Sequence, residues 1–228
     1  MKYIILDFDG TIGDSQTLIV KTFQDTMRKM GKEIKSAEKC ANTIGMRLNE
    51  AFALLYNTSI EEGEKCALVY HKIFEENRAK LGMMPFPHVI ETIKELYRRG
   101  FVLAVASSRG RDSLVGLIEQ MGFADCITSV VAQEDVIHVK PDTDMVFKAL
   151  MEIDGRKVDK DGCHELPDAL RPMLSDTLVV GDMTFDVDMA HNAGVKACAV
   201  TYGNGTKAQL ASAEWIIDDF SELLEIVS

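Results

Sequence analysis

Short hydrophobic runs, most of them leading directly into polar residues, divide this chain into regular intervals. They cover residues 3–6, 101–106, 126–132, 177–180 and 195–201. Apolar runs of this length, bounded by aspartate or glycine, are typical of strands that are buried on both faces of a parallel sheet. A shorter run at 213–217, which contains the lone Trp215, predicts an edge strand.

Segments with helical spacing of apolar residues lie between these runs. They cover about 88–99, 111–121, 143–151 and a stretch that closes at Gly194. Strands that alternate with helices predict a parallel sheet with right-handed crossovers, so the expected fold class is α/β, with helices on both faces. The polar stretch 154–175 predicts a surface excursion with at most one or two helical turns.

The interval between the first two strands predicts helices alone. Leu18, Phe23 and Met27 recur at helical spacing, and further helices are predicted from Ser36 and Ser59 onwards. One crossover helix normally connects two parallel strands, so residues 15–84 are more than the connection needs. They predict an inserted helical domain, or else extra helices that simply pack on the sheet.

Composition narrows the class of function. The chain has 228 residues, 46% of them hydrophobic, and a formal net charge of −11, which disfavours nonspecific binding to nucleic acid or to an anionic membrane. Five scattered cysteines indicate neither a zinc site nor a disulfide framework. We find no signal peptide and no apolar run long enough to span a membrane, and we expect a cytoplasmic protein.

Residues suited to phosphate chemistry follow the predicted strands. They are Asp7, Asp9, Ser107, Lys140, Asp182 and Asp186. In open α/β sheets, ligands bind where the carboxyl ends of the strands meet. Asp7 and Asp9 are costly to bury without a cation, and Asp7 together with Asp182 can hold Mg²⁺ through oxygen. Gly10 allows the backbone to approach a ligand closely, and Lys140 offers a point charge to a phosphoryl oxygen.

This set of groups suits hydrolysis in two steps. One carboxylate attacks phosphorus, while the other acts first as an acid and then as a base. Each residue also has a structural explanation on its own: Ser107 as a helix cap, Lys140 as a solvated loop residue, and Asp182 and Asp186 as charges that favour a helix N-terminus. Their combination favours a site, because buried like charges need a compensating cation.

Four segments carry a family resemblance. They are Asp7-x-Asp9-Gly10-Thr11, Ser107, Lys140-Pro141 and Gly181-Asp182-x-x-x-Asp186. In this order they resemble the motifs of the haloacid dehalogenase-like hydrolase superfamily. The helical insert resembles the cap of its phosphoglycolate phosphatase and β-phosphoglucomutase branch. The resemblance implies a Rossmann-like catalytic core of residues 1–14 and 85–228 and a helical cap of residues 15–84.

The resemblance also implies a role for each residue. Asp7 would be the nucleophile and a magnesium ligand, and Asp9 the acid/base and a ligand through its backbone carbonyl. Asp182 would ligate magnesium, with Asp186 supporting the metal site. The residues expected to bind the phosphate group are Gly10, Ser107, Ser108 and the catalytic Lys140.

Asp9 also narrows the reaction, since dehalogenases lack a carboxylate at that position. We therefore expect a magnesium-dependent phosphatase that acts on a small phosphorylated metabolite through an aspartyl-phosphate. A β-phosphoglucomutase-like phosphomutase and an inorganic pyrophosphatase are alternatives. A receiver-type phospho-acceptor domain is an alternative of another class, against which the insert and Asp9 both argue.

The loop at 45–48 is the part of the insert expected to face the pocket, by resemblance and because Gly45 allows close approach. Arg47 is its one strong cation. It would bind a carboxylate or a second phosphate of the substrate, or else it is an ordinary exposed arginine. The expected partner is a small phosphorylated substrate, with no nucleic acid or membrane, and the protein is expected to be a monomer or dimer.

Overall fold

A computed structural model of the chain describes residues 1–227 and contains eight strands. The strands are Tyr3–Leu6 (β1), Gly13–Asp14 (β2), Met84–Pro85 (β3), Val102–Ala106 (β4), Ile127–Val131 (β5), Thr177–Gly181 (β6), Lys196–Val200 (β7) and Trp215–Ile217 (β8). Six of them form the main sheet in the order β5-β4-β1-β6-β7-β8. Every neighbouring pair in this sheet is parallel, which confirms the predicted α/β class.

The helices agree with the predicted intervals to within a few residues. They are Gln16–Lys29 (α1), Ala37–Ala41 (α2), Leu48–Tyr56 (α3), Ile60–Leu81 (α4), Val89–Arg98 (α5), Arg111–Gln120 (α6), Asp144–Ile153 (α7), Thr184–Ala193 (α8) and Leu223–Ile226 (α9). Short 3₁₀ helices cover Ala124–Cys126, Gln133–Asp135, Asp168–Asp176 and Phe220–Glu222.

Both faces of the main sheet are covered. On β1, Ile4 and Leu6 belong to the core shared with α5 and α6, whereas Ile5 belongs to the core shared with α7 and α8. All three side chains are fully buried. A strand covered on both faces has no polar side, which explains why the sequence shows an unbroken apolar run rather than an alternation.

Residues 15–84 form helices α1 to α4, and the longest of them, α4, packs on both α1 and α3. Aromatic rings fill this contact: the centroid of Phe23 lies 4.8 Å from that of Phe52 and 5.1 Å from that of Tyr70. These residues are continuous with the apolar cluster on the α5 and α6 face of the sheet. The division into a catalytic core and a separate cap stays a prediction.

A two-stranded antiparallel ribbon joins the ends of this insert. Gly13 of β2 lies opposite Pro85 of β3, and Asp14 lies opposite Met84. The chain therefore enters and leaves the insert side by side. Sequence analysis did not predict this pairing, because two residues per strand are too few to produce an alternating pattern.

The segment 154–175 is packed more firmly than a surface excursion. Cys163, Leu166 and Leu170 are buried and join the core that contains α7. The 3₁₀ helix Asp168–Asp176 then leads into β6. The prediction of a surface segment needs this correction, since these three apolar residues anchor a mostly polar stretch. Within residues 1–227, no helix is both long and apolar enough to cross a membrane.

The close contact between α3 and α4 generates a stability prediction. A Cβ atom added at Gly63 of α4 would lie 2.0 Å from the backbone oxygen of Asn49, so the helices must move apart. Gly63→Ala should lower the free energy of unfolding by about 1–3 kcal/mol, the usual effect of overpacking. Urea denaturation measures this change.

Gly116→Ala is the matched control. Gly116 lies inside α6, and nothing lies within 4 Å of the position of an added Cβ. Alanine there should stabilise the protein by up to about 1 kcal/mol through helix propensity. Equal effects of the two substitutions would contradict the packing of α3 against α4.

Candidate active site

The carboxyl ends of three adjacent strands bring most of the predicted residues together. Asp7 follows β1, Ser107 follows β4, and Asp182 follows β6. Lys140 lies in the loop between β5 and α7, next to a cis peptide bond to Pro141. Parallel strands place all their carboxyl ends at one edge of the sheet, so these side chains meet there.

Three carboxylates and one ammonium group form the buried centre of the site. A carboxylate oxygen from each of Asp7, Asp182 and Asp186 lies within 4.8 Å of the others. Lys140 donates a hydrogen bond to Oδ1 of Asp7, and its Nζ lies 2.7 Å from Oδ1 of Asp186. All four side chains are buried, so nearby water does little to offset their charges.

Burial and like charge shift the titration of this centre. Burial raises the pKa of Asp7 well above its ordinary value, and the Asp186 and Asp182 charges raise it further, although Lys140 opposes them. Burial, followed by the Asp186 charge, raises the pKa of Asp182 to about 7. Burial alone would lower the pKa of Lys140, but Asp186 and Asp7 raise it, so this residue stays charged.

The residues present fit a divalent cation. When all three carboxylates are ionised, one ammonium leaves two negative charges uncompensated, and oxygen is the donor that Mg²⁺ prefers. Asp182 is held in place on both oxygens: Thr11 Oγ1 lies 3.3 Å from Oδ1, and Asn204 donates to Oδ2 through its backbone nitrogen at 2.6 Å and its side-chain nitrogen at 2.7 Å. Asp186 accepts a hydrogen bond from the backbone nitrogen of Met183 at 3.0 Å.

Gly10 leaves the space that this arrangement needs. Its φ is +90°, and an added Cβ would lie 2.2 Å from Oδ2 of Asp182. Any side chain there would both strain the backbone and displace a carboxylate of the buried centre. The structure thus gives Gly10 a steric reason to be glycine.

Asp9 has a partner that sequence analysis did not predict. Arg109 donates two hydrogen bonds to the Asp9 carboxylate, from Nε at 3.0 Å and from Nη2 at 2.5 Å. The guanidinium also lies over the ring of Phe74 in α4, 4.8 Å from its centroid. Side-chain exposure is only 8% for Arg109 and 13% for Asp9, so solvent screens this pair weakly.

The two serines after β4 differ in their bonding. The hydroxyl of Ser107 accepts a hydrogen bond from the backbone nitrogen of Arg109 at 3.3 Å. The hydroxyl of Ser108 is buried and has no hydrogen-bond partner among residues 1–227. A buried hydroxyl without a partner is costly, so Ser108 remains available to a ligand.

A cavity of about 770 Å³ opens beside these residues. Asp7, Asp9, Ser107 and Ser108 line it on the sheet side. The insert contributes Ile19, Phe23, Ile44, Met46, Tyr70 and Phe74. Lys140, Asp182 and Asp186 do not line the cavity, so a ligand in it meets the buried centre through Asp7.

Arg47 does not line this cavity, although Gly45, Met46 and Leu48 do. Its Nη2 atom donates instead to the backbone oxygens of Gln133 at 3.2 Å and Val136 at 3.0 Å. The expectation that Arg47 meets the substrate has no support from this arrangement, because the guanidinium is engaged with the backbone after β5. The arginines that line the cavity are Arg78, Arg109 and Arg111.

Residues 4–200 match the family model described as haloacid dehalogenase-like hydrolase. The chain belongs to the haloacid dehalogenase-like hydrolases. A relative from Dickeya dadantii, named as the probable phosphatase IndB, is 31% identical over 226 residues, which cover 97% of this chain and 91% of the relative. The predicted family and enzyme class are therefore confirmed: the protein is a phosphatase of this family, which sets aside the receiver-type alternative.

Other proteins are similar to this chain over nearly its whole length. The pyrophosphatase PpaX of Bacillus mycoides is 26% identical, covering 99% of this chain and 96% of the relative. The crystal structure of a predicted phosphoglycolate phosphatase from Haemophilus somnus superposes with a TM-score of 0.76 at 21% identity, covering 100% of this chain and 98% of that one. The structural likeness shows a common fold.

Two residues of this hydrolase's site escaped sequence analysis. Arg109 and Asn204 reach carboxylates that lie 100 and 22 positions away along the chain. Arg109 sits in a loop where an arginine is ordinarily solvated, and Asn204 lies in a turn-rich stretch after β7. The lack of a cation beside Asp9 in the local sequence is the one signal that could have prompted a search for Arg109.

The raised pKa of Asp182 predicts how stability depends on pH without metal. The folded protein holds this proton up to about pH 7, whereas the unfolded chain releases it near 3.8. The stability that the neutral Asp182 carboxyl contributes is therefore complete below pH 3.8 and is lost as the pH rises through about 7. With EDTA present, the melting temperature of the wild type relative to Asp182→Asn should fall between about pH 5 and pH 8.

Magnesium should reverse this loss, because it binds the ionised carboxylates. Adding Mg²⁺ should raise the wild-type melting temperature more at the higher pH than at the lower one, and should raise that of Asp182→Asn less. A difference between the two proteins that stays constant with pH would show that Asp182 does not titrate in this range.

Proposed function

We propose that this phosphatase hydrolyses a small phosphorylated metabolite with Mg²⁺ bound, through an aspartyl-phosphate on Asp7. The observation that carries the proposal is the buried centre of Asp7, Asp182 and Asp186 around Lys140, which would hold two more negative than positive charges with all three carboxylates ionised. When bound, the metal would offset those charges and polarise a phosphoryl oxygen. Asp7 and Asp182 would hold it, with the backbone carbonyl of Asp9, and Asp186 would support them.

Asp7 would act as the nucleophile. It lines the cavity and is the only carboxylate of the buried centre, among residues 1–227, that does so. Attack of its oxygen on phosphorus would break the bond to the leaving oxygen and form the aspartyl-phosphate. Lys140, bonded to Asp7, and the unpartnered hydroxyl of Ser108 would steady the phosphoryl oxygens, together with Ser107 and the backbone at Gly10.

Asp9 would act as the general acid and then as the general base. It would give a proton to the leaving oxygen in the first step and take one from water in the second, as that water displaces Asp7 from phosphorus. Arg109 holds the Asp9 carboxyl in one orientation through two hydrogen bonds, beside the cavity. Arg109 is thus a positioning residue for Asp9.

The cavity supports a small, anionic substrate. Arg78 and Arg111 line it and would attract a carboxylate or a second phosphate of the substrate. An inorganic pyrophosphatase is the second candidate, because the relatives named PpaX are 24–28% identical over nearly their whole length. A phosphomutase, a cytoplasmic location, and a monomeric or dimeric state stay predictions.

Asp7→Asn tests the covalent mechanism. The amide is a poor nucleophile, so release of phosphate from p-nitrophenyl phosphate, phosphoglycolate and pyrophosphate should be lost for all three substrates. Asp188→Asn is the matched control, because Asp188 is exposed on α8, outside the residues that line the cavity. Its activity should equal that of the wild type. Phosphate release by Asp7→Asn at the wild-type rate would reject Asp7 as nucleophile, and the preferred substrate would decide between the two candidates.

Arg109→Met tests the pairing with Asp9. Loss of an oriented acid/base should lower kcat by about 10²-fold or more, with a smaller change in KM. Arg109→Lys keeps the charge but not the two-pronged contact, so its kcat should be intermediate. Arg111→Met is the control: Arg111 also lines the cavity, but it pairs with Asp135. If Arg109→Met and Arg111→Met lowered kcat equally, the positive charge of the cavity, and not the contact between Arg109 and Asp9, would determine the rate.

A further inference from the structure

A second group of metal-ligating side chains lies outside the cavity. It consists of His138, in the loop before α7, Asp144, the first residue of α7, and His164, in the segment 154–175. One ligand atom from each residue lies within 4.8 Å of the others. None of the three lines the cavity, and the phosphatase mechanism uses none of them.

The spacing of these atoms suits a tetrahedral ion. Nδ1 of His138 lies 3.4 Å from Oδ2 of Asp144, and Nδ1 of His164 lies 2.9 Å from Oδ1 of the same carboxylate. Zinc bonds of about 2.0–2.2 Å place neighbouring ligand atoms about 3.3 Å apart in a tetrahedron. The two distances lie on either side of that value but run to different oxygens of Asp144, so side-chain rotation would have to bring both imidazoles and the carboxylate to one ion.

Burial and hydrogen bonds hold the Asp144 carboxylate in place without an ion. The side chain of Asp144 is only 1% exposed, and its Oδ2 accepts a hydrogen bond from the backbone nitrogen of His138 at 3.0 Å. That bond and the one from His164 outweigh burial and hold the pKa of Asp144 below its ordinary value. The imidazoles are more open, at 59% and 41% side-chain exposure, so an ion can reach them from solvent.

The donor types distinguish this group from the phosphatase site. Two imidazoles and one carboxylate suit zinc, copper or nickel, whereas a set of oxygens alone suits magnesium. Magnesium at the buried carboxylates therefore should not compete for the histidines. Three protein ligands also leave a fourth position open to water. Cys163 is not part of the set, because its thiol donates to the backbone oxygen of Lys160.

We propose that His138, Asp144 and His164 form a second metal site, which binds Zn²⁺ or a similar transition-metal dication. The ion would join the segment 154–175 to the loop that carries Lys140, since His138 lies two residues before it. It would thereby stabilise the one part of the core whose packing the sequence did not predict. The proposal depends on these three residues alone and not on the proposed substrate or mechanism.

Zinc titration of the intact protein, with Mg²⁺ in excess throughout, tests the site. The wild type should bind one tightly held equivalent of Zn²⁺, measured by competition with a chromophoric chelator. His138→Gln and His164→Gln should each lower the zinc affinity by more than about tenfold. Loss of a residue that only hydrogen-bonds to a metal ligand already lowers the affinity by about tenfold, and loss of a ligand should cost more. His88→Gln is the matched control, because His88 is also exposed and also pairs with a carboxylate, that of Asp219.

A second readout identifies the ligands directly. With Cu²⁺ as the probe, electron paramagnetic resonance should show nitrogen couplings in the wild type and in His88→Gln, and these should weaken in His138→Gln. Since His138 is mostly exposed, that variant should fold even if His164→Gln does not. Equal zinc affinity in all four proteins would overturn the proposal. So would a loss of stability in the histidine variants with no change in zinc binding, which would identify the group as ion pairs only.

Discussion

The contact of Lys140 with Asp7 and Asp186 is the interaction on which the rest of this structure depends. The four charged groups of the buried centre lie just after β1, just after β6, in α8 and in the loop before α7, so the centre forms only when the sheet is assembled in the observed order. Burying three carboxylates without Lys140 would leave charges that nothing in the core offsets. With all three carboxylates ionised, Lys140 leaves two charges unbalanced, which fits the divalent cation proposed for this centre.

That centre also constrains its surroundings sterically. An added Cβ at Gly203 would lie 2.4 Å from Oδ2 of Asp182, and one at Gly181 would lie 2.2 Å from the carboxyl carbon of Asp186. The backbone therefore fits closely around the carboxylates on the side away from the cavity. Asp7 is therefore the carboxylate of the buried centre that a ligand in the cavity can reach. Asp182 is held between Thr11 and Asn204.

Local signals made the sheet and the acidic residues predictable. An apolar run that stops at Asp7 marks both a buried strand and the site at its end, and the same logic finds Ser107 and Asp182. Arg109 and Arg47 were not predictable in this way, because an arginine's partner depends on which distant backbone or carboxylate the fold brings to it. The buried positions of Cys163 and Leu166 were hidden for a related reason: their burial depends on the distant core that contains α7 and α8, which the local sequence does not reveal.

The loop between β5 and α7 is where these long-range contacts converge. The insert reaches it through Arg47, which bonds to the backbone oxygens of Gln133 and Val136. The segment 154–175 reaches it through His164, whose partner Asp144 also binds the backbone of His138. Lys140 follows two residues later. A loop held from both sides gives up little further freedom when its lysine is buried, and this is how an irregular segment can present a charge to the buried centre as firmly as a strand does.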